Sequence, residues 1–175
     1  YVAAEHADTA RPALSGWMGH AAPFAFDLDY RAGAGIERMR VGTPPIIALA
    51  ALDAALDVWD EVDMADVRAK SIELSELFIA EVEASCPGLA LASPRDPGRR
   101  GSQVSFRHPQ GYAVMQALIA DGVIGDFRAP DILRFGFTPL YLGADDVRAA
   151  VAILARILAS GSWDSPRFHR KALVT

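Results

Sequence analysis

Hydrophobic and polar positions change rhythm twice along this chain. From Tyr1 to His20, short apolar groups are broken by turn residues, which predicts a strand end followed by an ordered loop. Residues 44–61 are almost wholly apolar, with Asp53, Asp57, Asp60 and Glu61 confined to one narrow stripe at helical spacing. The spacing predicts a helix from Pro44 to Glu61, with Thr43 as N-cap and Pro44 at the first helical position, where its missing N–H is harmless. A helix apolar on nearly all sides is buried on nearly all sides, so this one calls for packing against another domain or a second subunit.

The next segment is amphipathic. Asp63 is a candidate cap, Val67, Leu74, Phe78 and Val82 form an apolar stripe, and Pro87-Gly88 ends the run. At roughly 20 residues such a helix can bridge two domains. The rhythm then becomes shorter. "LALAS" and "GSQVSFRH" read as strands, the second alternating Val104 and Phe106 against Gln103, Ser105 and Arg107, with "SPRDPGRRG" as the turn between them. "QGYAVMQALIADG" reads as a short helix ending on Gly122. Two further strands flank Ala129-Pro130, and a last helix points Val147, Val151, Leu154 and Leu158 inward. The second half is therefore β-β-α-β-β-α, an α+β layer of antiparallel sheet with helices on one face.

Composition narrows the setting. The 175 residues, 51% hydrophobic, suffice for one sizeable core or for a small domain plus part of another. The net charge of −5 argues against nucleic acid, and no Lys/Arg run supports a membrane surface. The one basic cluster, Arg167 to Lys171, reads as a solvated tail. No apolar run reaches the roughly 20 residues of a membrane span, and Tyr1 to Ala13 lacks the regions of a signal peptide, so a cytoplasmic protein is expected. A single cysteine, Cys86, excludes an internal disulfide and a multi-thiolate metal site, and its place before Pro87-Gly88 suggests an inert small hydrophobe. The start at Tyr1, without Met or cap, reads like a piece of a longer protein.

Four places could carry chemistry. In "SGWMGH" two glycines flank Trp17 and Met18, so the indole is either a plug at a turn or a flat surface offered to a ligand. In "ILRFGF", alternation puts Leu133, Phe135 and Phe137 on one face and Ile132, Arg134 and Gly136 on the other. Arg134 is then either a solvent-facing side chain or a fork for a carboxylate, with Gly136 clearing space beside it. At "VGTPPI" a helix start could attract an anion, but Pro44 and Pro45 remove two donors, leaving the Thr43 hydroxyl and the N–H groups of Gly42 and Thr43. The histidines, His6, His20, His108 and His169, show no ligand spacing, so no metal is expected. His20 could donate to a ligand or simply to backbone. No G-x-S-x-G, P-loop or G-x-G-x-x-G is present, and no complete active site can be assembled from this chain alone.

Taken in order, "SGWMGH", "RVGTPPI", the acid-striped apolar helix and "GDFRAPDILRFGFTPLYLG" resemble kynureninase, a pyridoxal-phosphate enzyme of the aspartate-aminotransferase fold (fold type I), over essentially the whole chain. The resemblance implies an α/β enzyme of which this chain is the C-terminal portion. Residues 1–62 would close the large cofactor-binding domain and dimer interface, 63–86 would be the connecting helix, and 87–175 the small α+β domain with an antiparallel sheet. It implies a homodimer with shared active sites, in which Trp17 and Thr43 contact the cofactor phosphate region and Arg134 holds the substrate α-carboxylate. Met18, His20 and Phe24 are near enough in sequence to line the pocket. The Schiff-base lysine of the family lies upstream of Tyr1, and neither Lys70 nor Lys171 matches it, so the isolated segment is expected to be catalytically silent. The implied reaction is hydrolysis of L-kynurenine, or its 3-hydroxy form, to anthranilate and L-alanine, in tryptophan catabolism and NAD biosynthesis. Two alternatives stay open. One is another fold-type-I enzyme, such as a cysteine desulfurase or an aminotransferase. The other is a non-catalytic interaction module, which should be monomeric and indifferent to pyridoxal phosphate.

Overall fold

Six helices and four strands are formed by residues 1–170, which the computed structural model of the protein describes. The helices are α1 (Ala4–Ala7), α2 (Ile46–Leu56), α3 (Met64–Ser85), α4 (Gly111–Ala120), α5 (Ala144–Ser160) and α6 (Pro166–His169). The strands are β1 (Ala90–Leu91), β2 (Gln103–Arg107), β3 (Asp126–Arg128) and β4 (Ile132–Gly136). The chain divides into two compact units, Tyr1–Glu61 and Val62–Thr175.

In the second unit Asp63 starts α3 as its spacing predicts, its carboxylate accepting the Ala65 N–H at 2.7 Å. One stripe of α3, including Leu74, Phe78, Ile79 and Val82, is buried, while Val67 is only half-buried. The strands pair antiparallel throughout in the order β1-β2-β4-β3, so the expected β-β-α-β-β-α succession is realised. Alternation along β2 and β4 sends Val104, Phe106, Leu133 and Phe135 into the core. Phe78 is the hub: its ring lies 4.8 Å from that of Phe135, 5.3 Å from Phe137 and 6.0 Å from Phe106, in tilted and edge-on arrangements. Helix α5 closes the core with Val147, Val151, Leu154 and Ile157, Leu158 being half-buried at its margin.

Three local expectations are corrected. The opening segment forms the short helix α1 and then loop, not a strand end. Helix α2 begins at Ile46, with Pro45 at the cap position and no side-chain cap bond, and a 3-10 turn, Asp57–Trp59, follows it. Thr43 is therefore not the N-cap. Pro44 precedes a second proline, which disfavours helical backbone at Pro44 and delays the start. The cluster Arg167 to Lys171 is not simply a solvated tail: Phe168 is buried on the core, and the Arg167 guanidinium lies 4.3 Å from its ring centroid. Lys171 lies outside the described residues.

A buried arginine also appears where only a turn was expected. Arg100 keeps 3% of its side chain exposed, pairs with Glu76 of α3 and donates to the Pro94 carbonyl, and Arg68 of α3 donates to the Arg100 carbonyl at 3.0 Å. The long β1–β2 connection is thus latched to α3. In the first unit, α2 is exposed along its whole length, Ile46 at 65% and Ile47 at 88%. Among the described residues, no helix is long and apolar enough to cross a membrane.

Phe78→Ala should destabilise the second unit by about 3–5 kcal/mol, because the hub ring leaves a cavity that three neighbouring aromatics cannot fill; urea denaturation followed by far-UV circular dichroism measures this. A pH effect is expected from His108, whose ring packs against Trp163 at 5.5 Å and whose Nδ1 accepts the Gln110 N–H. Burial pushes the imidazole pKa below its usual 6.5. The unfolded chain then binds the proton more readily than the folded one, so stability present above 6.5 is lost as the pH falls below it. In a pH series of denaturation midpoints, His108→Gln should flatten this acid-side decline.

Candidate functional site

Glycine decides the geometry around Trp17. A side chain on Gly16 would place its Cβ 1.6 Å from the Val41 carbonyl oxygen, and one on Gly19 would lie 2.5 Å from the Arg40 oxygen. No substitution fits such distances, so segments 16–19 and 38–41 press backbone to backbone. That contact brings the Trp17 turn, a 3-10 element of Trp17–Gly19, beside the segment leading to Thr43. The indole is 49% exposed, and Thr43 is exposed with no capping bond to satisfy. Trp17 is therefore not a buried plug. Its only ring neighbour among the described residues is Phe24, edge-on at 5.7 Å.

Beside it Trp17, His20, Phe26 and Tyr30 line an open cavity of about 380 Å³. His20 holds the loop instead of offering itself to a ligand. Its Nδ1 accepts the Ala22 N–H at 2.9 Å, which puts the proton on Nε2, 3.3 Å from the Asp29 carbonyl. Tyr30 donates to the Gly19 carbonyl at 3.0 Å, and Asp27 pairs with Arg31. The hydrogen bond from Arg31 holds the Asp27 carboxyl below the ordinary aspartate range. Phe24 lies outside this cavity, Met18 is half-buried and does not line it, and the loop clasps around His20 and Tyr30 carried no sequence spacing that could have revealed them.

In the second unit Arg134 sits where alternation predicts, on the sheet face opposite Leu133 and Phe135. A row crosses three strands: Ser105 on β2, Arg134 on β4 and Asp126 on β3 are direct register partners. The Arg134 Nη2 makes an ion pair with the Asp126 carboxylate, and Arg134 Nε is buried without a partner. A guanidinium carries five donors, so this one retains capacity for a second carboxylate. A Cβ added at Gly136 would meet nothing within 4 Å, so space next to the guanidinium along β4 is open. Ser105, expected on a polar outer face, is buried, because Gln103 donates to its hydroxyl at 3.3 Å and the Ser93 hydroxyl accepts its N–H at 2.9 Å.

Each unit keeps donors without a partner. Among the described residues, no group pairs with the Trp17 indole N–H or the Thr43 hydroxyl, both suited to phosphate oxygens, and Arg134 has an unsatisfied buried donor. Lys70 is exposed on α3. No group of three or more His, Cys, Asp or Glu among the described residues could hold a metal ion. Cys86 is buried at 1% exposure, and burial pushes its thiol pKa above the usual 9.0, the opposite of what a nucleophilic thiol needs.

Residues 67–154 match the family model described as "Kynureninase C-terminal domain". The chain is 51% identical over 164 residues to a kynureninase of Burkholderia mallei (strain SAVP1), covering 93% of this chain and 39% of that protein. It is 47% identical over 177 residues to a kynureninase of Pseudomonas fluorescens, covering all of this chain and 42% of the relative. This chain therefore spans well under half the length of these relatives. Solved structures share the fold at lower identity. A complex of the cystine C-S lyase C-DES with cysteine persulfide matches with a TM-score of 0.75 at 20% identity, over 89% of this chain and 41% of that one. The cysteine desulfurase CsdA of Escherichia coli matches with a TM-score of 0.71 at 22% identity, over 91% and 42%. A C-DES variant with glycine covalently linked to its PLP cofactor matches with a TM-score of 0.73 at 22% identity, over 89% and 40%.

Because Cys86 is buried and its protonated form favoured, a disulfide thiol reagent at neutral pH should modify the native thiol at least ~100-fold more slowly than the urea-unfolded chain. Stopped-flow absorbance measures both rates, and equal rates would contradict the buried position.

Proposed function

This chain belongs to the kynureninase family, and on that premise we propose that it is the C-terminal part of an enzyme that hydrolyses L-kynurenine to anthranilate and L-alanine. The observation that carries the reading is Arg134. It is a guanidinium on the outer face of the sheet with a buried, unsatisfied Nε and open space beside it at Gly136. Such a group receives the α-carboxylate of an amino acid through paired, charge-assisted N–H donors.

The cofactor is pyridoxal phosphate, which supplies the electron sink that labilises bonds at the amino-acid Cα and Cβ when bound. The residues of this chain bind and orient. The Trp17 indole N–H and the Thr43 hydroxyl would donate to the cofactor phosphate; the glycine contacts of the first unit set segment 16–19 against segment 38–41, two residues before Thr43. Arg134 would fix the substrate by its carboxylate and so restrict its rotation. On this reading the lysine that would join the cofactor is not Lys70, which is exposed on α3.

The bare apolar helix α2 fits the same reading. Ile47, Leu52 and Leu56 are each half exposed or more, a surface suited to a second subunit in a homodimer with shared sites. A cysteine desulfurase of the same fold would need an accessible thiolate, and Cys86 is neither accessible nor inclined to ionise.

The test uses the full-length protein with pyridoxal phosphate and L-kynurenine, followed by anthranilate fluorescence. The parent should release anthranilate, and Arg134→Ala should lower kcat/KM roughly 10- to 150-fold, the loss of charged hydrogen bonds to the carboxylate. A full-length protein that binds the cofactor yet releases no anthranilate overturns the reading.

A further inference from the structure

We propose that Asp126 is a positioning residue, whose cross-strand ion pair holds the Arg134 guanidinium in the orientation that receives the substrate α-carboxylate. The inference rests on the reading of Arg134 as a carboxylate fork.

Three features of the fold deliver the Asp126 carboxylate to one place. Strand β3 is only three residues long, and its register sets Asp126 directly opposite Arg134. The next residue, Phe127, points the other way. It packs against the core, with its ring 5.6 Å from that of Tyr112, so Asp126 is committed to the Arg134 face. The preceding residue, Gly125, is wedged in place: a Cβ there would lie 2.7 Å from the Met115 Cε and 2.9 Å from the Arg134 carbonyl oxygen. The residues on either side of Asp126 are thus both in close packing contact with the rest of the unit. An aspartate on such a backbone has only two side-chain torsions, whereas Arg134 has a long side chain with far more rotamer freedom to lose. The short, anchored partner orders the long one before any ligand arrives.

The pairing leaves the fork usable. Asp126 engages Nη2, while Nε stays buried and unpaired. The arginine side chain is 26% exposed and the aspartate 41%, so a ligand can reach the pair. On the other side of Arg134 the row continues with the neutral hydroxyl of Ser105, which neither competes for the guanidinium as a carboxylate nor repels an incoming one. Two effects of Asp126 oppose each other. Its negative charge lowers the general attraction of Arg134 for anions, and its hydrogen bond fixes the direction of the remaining donors. In the sheltered setting that buries Nε, directed donors outweigh net charge, because disorder in the fork must otherwise be removed at each binding event.

The experiment compares the full-length parent holoenzyme with Asp126→Asn and Asp126→Glu, using steady-state anthranilate release from L-kynurenine. Asp126→Asn should raise KM about 10-fold, with kcat within about twofold, since the lost alignment affects binding of the carboxylate. Asp126→Glu restores the charge and should return KM to within about threefold of the parent. Turnover of the kynurenine carboxamide, which presents no carboxylate, should be equally poor in the parent and in Asp126→Asn. A KM that is unchanged or lower in Asp126→Asn overturns the proposal, as does a Glu variant no better than Asn. If the parent releases no anthranilate, the kynurenine reading falls by itself, and calorimetric binding of L-alanine still decides the pairing. Weaker binding to Asp126→Asn supports it, while equal or tighter binding, or no binding to the parent, overturns it. Melting curves for each variant separate these outcomes from a folding defect, and Asp126→Glu alone carries the KM comparison if the Asn variant does not fold.

Discussion

Register in strand β4 is the constraint on which the second unit depends. Leu133 and Phe135 must face α3 and α5, where Phe78 gathers the rings of Phe135, Phe137 and Phe106. A shift of one residue would turn those phenylalanines to the outer face and drive the Arg134 guanidinium into the core. Burying a large apolar side chain stabilises by roughly 1.5–3 kcal/mol and burying an unpaired charge costs several, so the correct register is favoured from both sides. The hydrophobic core thus aims the arginine as a by-product of its own packing. The same register carries the row onward to Ser105 and Asp126.

The first unit is organised differently. It has little buried apolar surface, and its order comes from backbone contact and loop hydrogen bonds. Gly16 and Gly19 let segment 16–19 lie against segment 38–41, His20 clasps the loop through both ring nitrogens, and Tyr30 ties back to the Gly19 carbonyl. Arg38 adds another tie by donating to the Gly33 carbonyl at 3.1 Å. The result presents Trp17 outward beside an open cavity, with Thr43 on the neighbouring segment. This unit leaves α2 bare, the apolar surface on which the proposed homodimer rests.

Much of the second unit was legible in the sequence because its signals are periodic. The α3 stripe, the Asp63 cap, the alternation in β4 and the inward face of α5 follow from helical and strand periods, and the structure reproduces them. Errors arose where a local rule met a stronger neighbour. The Pro44–Pro45 pair moved the start of α2, because the second proline restrains the first. Ser105 obeys strand alternation in direction yet is buried, because Gln103 and Ser93 close over it. Phe168 drew a basic tail back to the core. Trp17, Thr43 and Arg134 stood out in the sequence by residue type alone, but their surroundings in each unit did not.

By itself the sequence determined which faces are apolar, where helices start and stop, that one strand alternates phenylalanine with arginine, and that glycines bracket a tryptophan. These are properties of residues a few positions apart, and the chain's own periodicity carries them. Only the tertiary structure decided that Gly16 and Gly19 serve close backbone approach, that His20 is a clasp, and that Asp126 stands opposite Arg134. Each of these joins positions between eight and thirty residues apart along the chain, through pairing set by the packing of everything between them. The arginine was written into the strand, but its partner was chosen by the register of the sheet.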